Sequence, residues 1–135
     1  METWHFGIDN DRLVNLVLSG KKKATTSLYD LDRLPIIGGQ SILIYDNEKK
    51  ACITETREII VTEFENITWD LASLEGENTS LKDWQKVHSD YFKTIMPSFN
   101  RKTKVILEIF KVTENLVTQR LKTAEKIYKR YKHWI

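Results

Sequence analysis

Cysteine is almost absent from this chain. Cys52 is the only one in 135 residues, which excludes an internal disulfide and a cysteine-based zinc site. It falls in an apolar, strand-like run, where a buried thiol is the ordinary expectation. Histidine is nearly as sparse, confined to His5, His88 and His133, and no set of His, Asp and Glu shows metal-ligand spacing. Neither a metal nor any other cofactor is therefore expected. No stretch is apolar enough to span a bilayer, and Met1-Glu2-Thr3-Trp4-His5 lacks the basic-then-apolar layout of a signal peptide. These absences lead to the expectation of a cytoplasmic protein with no membrane partner. With 2 prolines and 5 glycines, the chain also has no Pro/Gly/Ser linker and no internal repeat, so one domain is expected.

What is present is ordinary for a globular domain: 41% hydrophobic and 30% charged residues, in a chain long enough to bury a core without staples. The net charge of +2 is small but unevenly spread. Lys21 to Lys23 form one basic cluster. Arg120, Lys122, Lys126, Lys129, Arg130 and Lys132 form another, opposed there only by Glu125. This asymmetry favours a polyanionic partner, against the plainer reading of a solvated basic surface.

Apolar Leu13, Val14, Val17 and Leu18 recur at helical spacing after Asn10 or Asp11 as cap, until Gly20 ends the helix. Ala24 to Tyr29 reads as a strand. Leu34-Pro35-Ile36-Ile37-Gly38-Gly39 marks a loop, and Ser41 to Tyr45, a turn at Asp46 to Lys49, and Ala51 to Thr56 read as a hairpin. Its second strand continues with a bend through Thr62, giving a meander. Helical spacing returns at Trp69 to Leu74 with Thr68 as cap, and from Leu81 to Met96 with Ser80 as cap. Thr103 to Val112 alternates as a strand, and a basic amphipathic helix closes the chain. The pattern predicts an α+β fold on a small curled sheet or barrel.

Two segments carry possible chemistry. In Gly20-Lys21-Lys22-Lys23-Ala24-Thr25-Thr26-Ser27, a glycine, a knot of ammonium groups and a run of hydroxyls join a helix end to a strand start. That places an amine near an alcohol, suited to a phosphate or carbonyl oxygen. It is not a Walker A loop, which needs a second glycine just before the Lys-Thr pair. In Leu74-Glu75-Gly76-Glu77-Asn78, two carboxylates flank a glycine where one helical pattern stops and the next has not begun. Trp84, Tyr91 and Phe92 read first as core packing and second as a base-stacking platform, and His88 reads first as a core histidine.

Taken in order, Gly20-x-Lys22-x-x-Thr25-Thr26-Ser27, then Pro35 with Gly38 or Gly39, then Ala72-x-x-Glu75-Gly76-Glu77, then Leu81-x-x-Trp84-x-x-x-His88-x-x-Tyr91-Phe92, and the strand around Phe110 resemble the ASCH domain family. The resemblance runs from about Leu13 to Val112. It implies a small PUA-like β-barrel of about five or six strands with packed helices, spanning residues 1–113. Residues 114–135 then form a basic C-terminal helix extending the same domain. Members look like RNA- or nucleotide-binding modules. One branch hydrolyses N4-acetylcytidine through a threonine, a lysine and a glutamate, and another member is a ribonuclease. By motif position these catalytic groups match Thr25, Lys22 and Glu75, while counting back from the following leucine selects Glu77 instead.

The expected site is accordingly a nucleotide-sized, basic cleft. Lys22, Thr25 and Glu75 are its catalytic candidates, and Lys21, Lys23, Thr26, Ser27, Glu77, Trp84 and His88 its nucleotide- or RNA-binding candidates. In amide hydrolysis Lys22 accepts the Thr25 proton, and Glu75 orients the lysine or protonates the leaving amine. The expected partner is RNA or a modified nucleoside. A non-catalytic RNA-binding module and a ribonuclease are the alternatives, and the oligomeric state stays open.

Overall fold

The computed structural model of the chain describes residues 1–131. In chain order the elements are β1 (Thr3–Trp4), α1 (Asn10–Leu18), β2 (Ala24–Leu28), β3 (Gln40–Ile44), β4 (Lys50–Glu63), α2 (Trp69–Ala72), α3 (Leu81–Ile95), β5 (Lys104–Asn115) and α4 (Leu116–Tyr131). Lys132 and His133, named in the basic tail and among the histidines, lie outside the described residues.

The five strands form one mixed sheet in the order β1-β3-β4-β5-β2. The fold is α+β as the sequence predicts, but the sheet is open: among the described residues its edges β1 and β2 do not pair, which corrects the expectation of a closed barrel. The parallel β1–β3 pairing, at Thr3 opposite Ile42 and Trp4 opposite Leu43, is invisible to local patterning because β1 is only two residues long.

The predicted bend in the second hairpin strand is real. β4 runs unbroken for 14 residues, with a register shift against β5 at Arg57 that lets one strand serve two cores. On one side Ala24, Val105 and Leu107 pack against Trp84 and Phe92 of α3 with Phe64 and Phe99. On the other, Leu43, Ala51, Cys52 and Phe110 pack against Leu13, Val14 and Val17 of α1. Cys52 is fully buried as expected, and burial pushes its thiol up to about 11.

Two caps differ from expectation. α1 is entered through Asp9 in a left-handed conformation (φ 49°), and its side chain caps nothing. Of the two predicted capping residues, Asn10 is drawn inward, accepting from the Phe6 N–H and donating to the Ile44 carbonyl and to Asp46, and Asp11 accepts from the Asp46 N–H instead of capping the helix. Thr68 forms no side-chain cap on α2, whereas Ser80 accepts from the Asp83 N–H as predicted.

Candidate functional site

The site is assembled where the turn after Gly20 meets the turn at Gly76. Gly20 adopts φ 81° and ends α1, so the N–H groups of Lys21 and Lys22 both reach the Leu16 carbonyl, at 3.0 and 3.1 Å. Gly76 adopts φ 71° after the short turn Ser73–Glu75 that follows α2. A Cβ on Gly76 would lie 2.1 Å from the Lys21 carbonyl oxygen, so only glycine fits here. The Lys23 N–H donates to the Leu74 carbonyl at 2.8 Å and fastens the two loops together. Lys22 and Glu75, 53 residues apart, are thereby turned toward each other.

Both side chains are almost completely enclosed. The Lys22 ammonium lies 3.2 Å from Glu75 Oε1 and 2.8 Å from Glu77 Oε2, with the Phe6 ring centroid 5.3 Å away. Glu75 is 1% exposed. Its Oε2 accepts from Thr26 Oγ1 at 2.9 Å and from the Trp84 indole N–H at 2.7 Å, while Oε1 faces His88 Nε2 at 3.3 Å. Burial alone pushes this carboxyl upward. The His88 bond, the Lys22 and His88 charges and the Trp84 N–H outweigh it and hold the group at about 2.

His88 is held between two acceptors. Nδ1 lies 2.9 Å from the Trp84 carbonyl oxygen, which can only accept, and Nε2 faces an ionised carboxylate, which can also only accept. The imidazole also stacks on Trp84 at 4.3 Å between centroids, so His88 braces Glu75 from the α3 side.

Above this cluster opens a cavity of about 550 Å³. Phe6, Gly7 and Ile8 form one wall, and Val87, His88 and Tyr91 of α3 form the other. Gly7 sits against the Tyr91 hydroxyl so closely that a Cβ there would lie 2.0 Å from it. Lys22, Glu75 and Glu77 line the floor, with Thr25 and Thr26 beside them. Of the two carboxylates Glu77 is the more open, its side chain 14% exposed against 2% for Glu75, and the exposed Arg12 also reaches it at 3.5 Å.

Lys22, Thr25 and Glu75 thus border one cavity, as do Thr26, Glu77 and His88. Four other candidates do not. Trp84 is fully buried and spends its polar edge on Glu75, so it offers no face to a ligand. Ser27 is exposed on β2 away from the cavity. Lys21 and Lys23 are exposed outside the lining, and Lys23 borders a separate shallow groove with Phe110 and Lys111. The cavity is therefore not basic, contrary to the sequence expectation: Glu75, Glu77 and Asp90 stand against Lys22 and His88. Phe6, Ile8 and Tyr91 are wall residues that the motifs did not mark. Only the apolar character of the chain start hinted at the first two.

The fold that carries this site is shared with known proteins. A family model described as the ASCH domain matches residues 2–114. The chain belongs to the ASCH domain family. An ASCH domain from Lactobacillus crispatus JV V101 is 26% identical with a TM-score of 0.77, covering 84% of this chain and 80% of that one. A protein from Enterococcus faecalis V583 is 24% identical with a TM-score of 0.78, covering 89% and 80%. A single-residue variant of an ASCH protein from Zymomonas mobilis shares the fold more distantly, at 13% identity and a TM-score of 0.55 over 84% and 69%. No curated protein matches the chain in sequence. Helix α4 begins outside the matched family region. No helix among the described residues is long and apolar enough to cross a membrane.

Proposed function

We propose that this ASCH domain binds one uncharged, amino-bearing pyrimidine nucleoside, with cytidine or an N4-substituted cytidine as the fitting class. The observation that carries the reading is the placement of Glu77 at the cavity floor. Its carboxylate is partly open to the cavity, it is fixed from behind by Lys22 at 2.8 Å, and it lies between apolar walls. A carboxylate accepts from the exocyclic amine of cytosine. The Thr25 hydroxyl can donate to the neighbouring ring nitrogen or carbonyl, while Phe6 and Tyr91 supply ring contacts. Uracil turns an acceptor toward the same carboxylate and is disfavoured. The cavity volume of about 550 Å³ falls within the roughly 300–1,000 Å³ usual for small-molecule clefts.

Nucleoside is favoured over RNA by charge. No exposed lysine or arginine lines the cavity, and Asp90 stands at its edge with Lys86 held on it at 3.0 Å. A phosphate brought to this mouth meets Glu77 and Asp90, and the neighbouring cations Arg12 and Lys86 are already paired with them.

Hydrolysis of an N4-acyl group is the second reading, favoured by the presence of Thr25 beside the Lys22–Glu77 pair. The proton economy differs from a lysine-base scheme. Lys22 is already held between two carboxylates, and Glu75, lowered to about 2, is ionised at neutral pH and has no proton to give. Glu77, the more accessible carboxylate, is the better placed base.

Calorimetric titration with cytidine, uridine, cytidine monophosphate and oligocytidine tests the binding reading. Cytidine is expected to bind best, and Glu77→Gln to weaken it about tenfold or more. Equal affinity for uridine, or tighter binding of the phosphorylated ligands, overturns it. Acetate release from N4-acetylcytidine that disappears in Thr25→Ala would establish the hydrolytic reading on the same cleft.

A further inference from the structure

Helix α4 leaves its own domain after the first turn. Leu116 and Val117 are partly buried and Arg120 donates to the Lys50 carbonyl, but Leu121, Ile127 and Tyr128 are 66%, 54% and 71% exposed. A helix of 16 residues is marginal in water unless an apolar face is packed. The exposed stripe on α4 therefore calls for a cover.

The pattern of the stripe indicates what kind of cover. Val117, Leu121, Ala124 and Tyr128 recur at alternating steps of four and three residues, the spacing of a coiled-coil seam. Lys122, Lys126, Lys129 and Arg130 lie on the opposite face of the helix. RNA gripped by that basic face leaves the stripe in water. A bilayer covers the stripe, but cations serving anionic headgroups belong beside it, and among the described residues only Arg120 flanks it while Lys122, Lys126, Lys129 and Arg130 lie toward the other face. A second helix covers the stripe without burying those basic residues, and leaves the Lys129–Glu125 pair at 3.0 Å in place.

We propose that α4 pairs in parallel with α4 of a second copy of this chain. Charge sets the direction. Arg120 and Glu125 flank the seam on opposite sides, five residues apart, so a parallel pair sets Arg120 of each copy against Glu125 of the other, with Arg120 exchanging its bond to the Lys50 carbonyl and Glu125 sharing its carboxylate with Lys129, now 3.0 Å away in the same helix. An antiparallel pair centred on Ala124 brings the two Glu125 carboxylates together instead. Ala124, small and mid-seam, lets the two backbones approach closely.

Sedimentation of the full chain over a concentration series provides the test. A monomer–dimer equilibrium is expected, weakened at least about tenfold by Leu121→Glu or Tyr128→Glu, with circular dichroism confirming an intact domain. Arg120→Glu alone should weaken association, and combining it with Glu125→Arg should restore it. Lys122→Glu should leave it unchanged. A single monomeric species at every concentration overturns the proposal, as does a dimer indifferent to Leu121→Glu. Flotation of a monomeric chain with phosphatidylcholine–phosphatidylserine vesicles would assign the stripe to lipid and overturn it too.

Discussion

Glu75 and Glu108 are two carboxylates withdrawn from water on the same small sheet-and-helix scaffold, and they respond in opposite directions. Glu75 is held down at about 2 although burial pushes it up, because the His88 bond, the Lys22 charge and the Trp84 N–H all act on it. Glu108 faces across β5 toward β4, where burial raises it and its one hydrogen bond, from Thr56 Oγ1 at 2.5 Å, only partly opposes the rise. The difference lies in the company each keeps. A buried charge is tolerated where cations and N–H donors converge, and is a liability where a lone hydroxyl is all it has.

Removing the better-partnered group should do the most damage. Glu75→Ala leaves Lys22 and His88 short of their counter-charge and the Trp84 N–H without an acceptor. A loss of about 3–5 kcal/mol is expected in urea unfolding. Next comes the acid limb of the stability profile. The folded value of Glu75 lies below its ordinary 4.5, so its contribution is present above that value and is lost as pH falls toward 2, on the order of 3 kcal/mol. Glu108 works with the opposite sign. Its folded value is raised, so the stability it contributes is present below the ordinary carboxylate value and lost as pH rises through the folded one. Unfolding followed from neutral to acid should show the Glu75 loss in wild type and a flattened acid limb in Glu75→Gln.

Trp84→Phe keeps an aromatic ring in the core and deletes one N–H donor to a charged acceptor, with an expected cost of about 2 kcal/mol by the same unfolding measurement. The smallest effect reverses sign. Glu108→Gln removes an ill-supported charge and keeps an oxygen for Thr56, so thermal unfolding at neutral pH should show a gain within about 1 kcal/mol. A loss there would mean that Glu108 has a partner beyond Thr56, and the contrast between the two carboxylates would fail.

The elements carried by strong local signals were legible in the sequence: the β3–β4 hairpin, the Ser80-capped α3 and the Gly20 helix stop. The convergence of Lys22 with Glu75 was legible only through the order of motifs, because 53 residues of chain separate them and no periodicity encodes the approach. The choice of hydroxyl was not. Successive strand residues point to opposite faces, and Thr25 and Thr26 both border the cavity while only Thr26 bonds Glu75. The basic cluster misled for the same reason. Adjacency in sequence placed Lys21, Lys22 and Lys23 together, but the turn after Gly20 buries Lys22 and leaves its neighbours on the outside. The open sheet edge and the two-residue β1 depend on long-range pairing, on which local composition is silent.

The pressed contact between Gly76 and the Lys21 carbonyl limits how this protein can change its tastes. The loop that carries both Glu75 and Glu77 hangs on a point with no room for a methyl group, so its carboxylates are fixtures that drift cannot easily rearrange. Diversification within such a scaffold, by selection or in a laboratory library, has to proceed along the opposite wall, at Val87, Tyr91 and Thr94 of α3, while the acidic floor stays where it is.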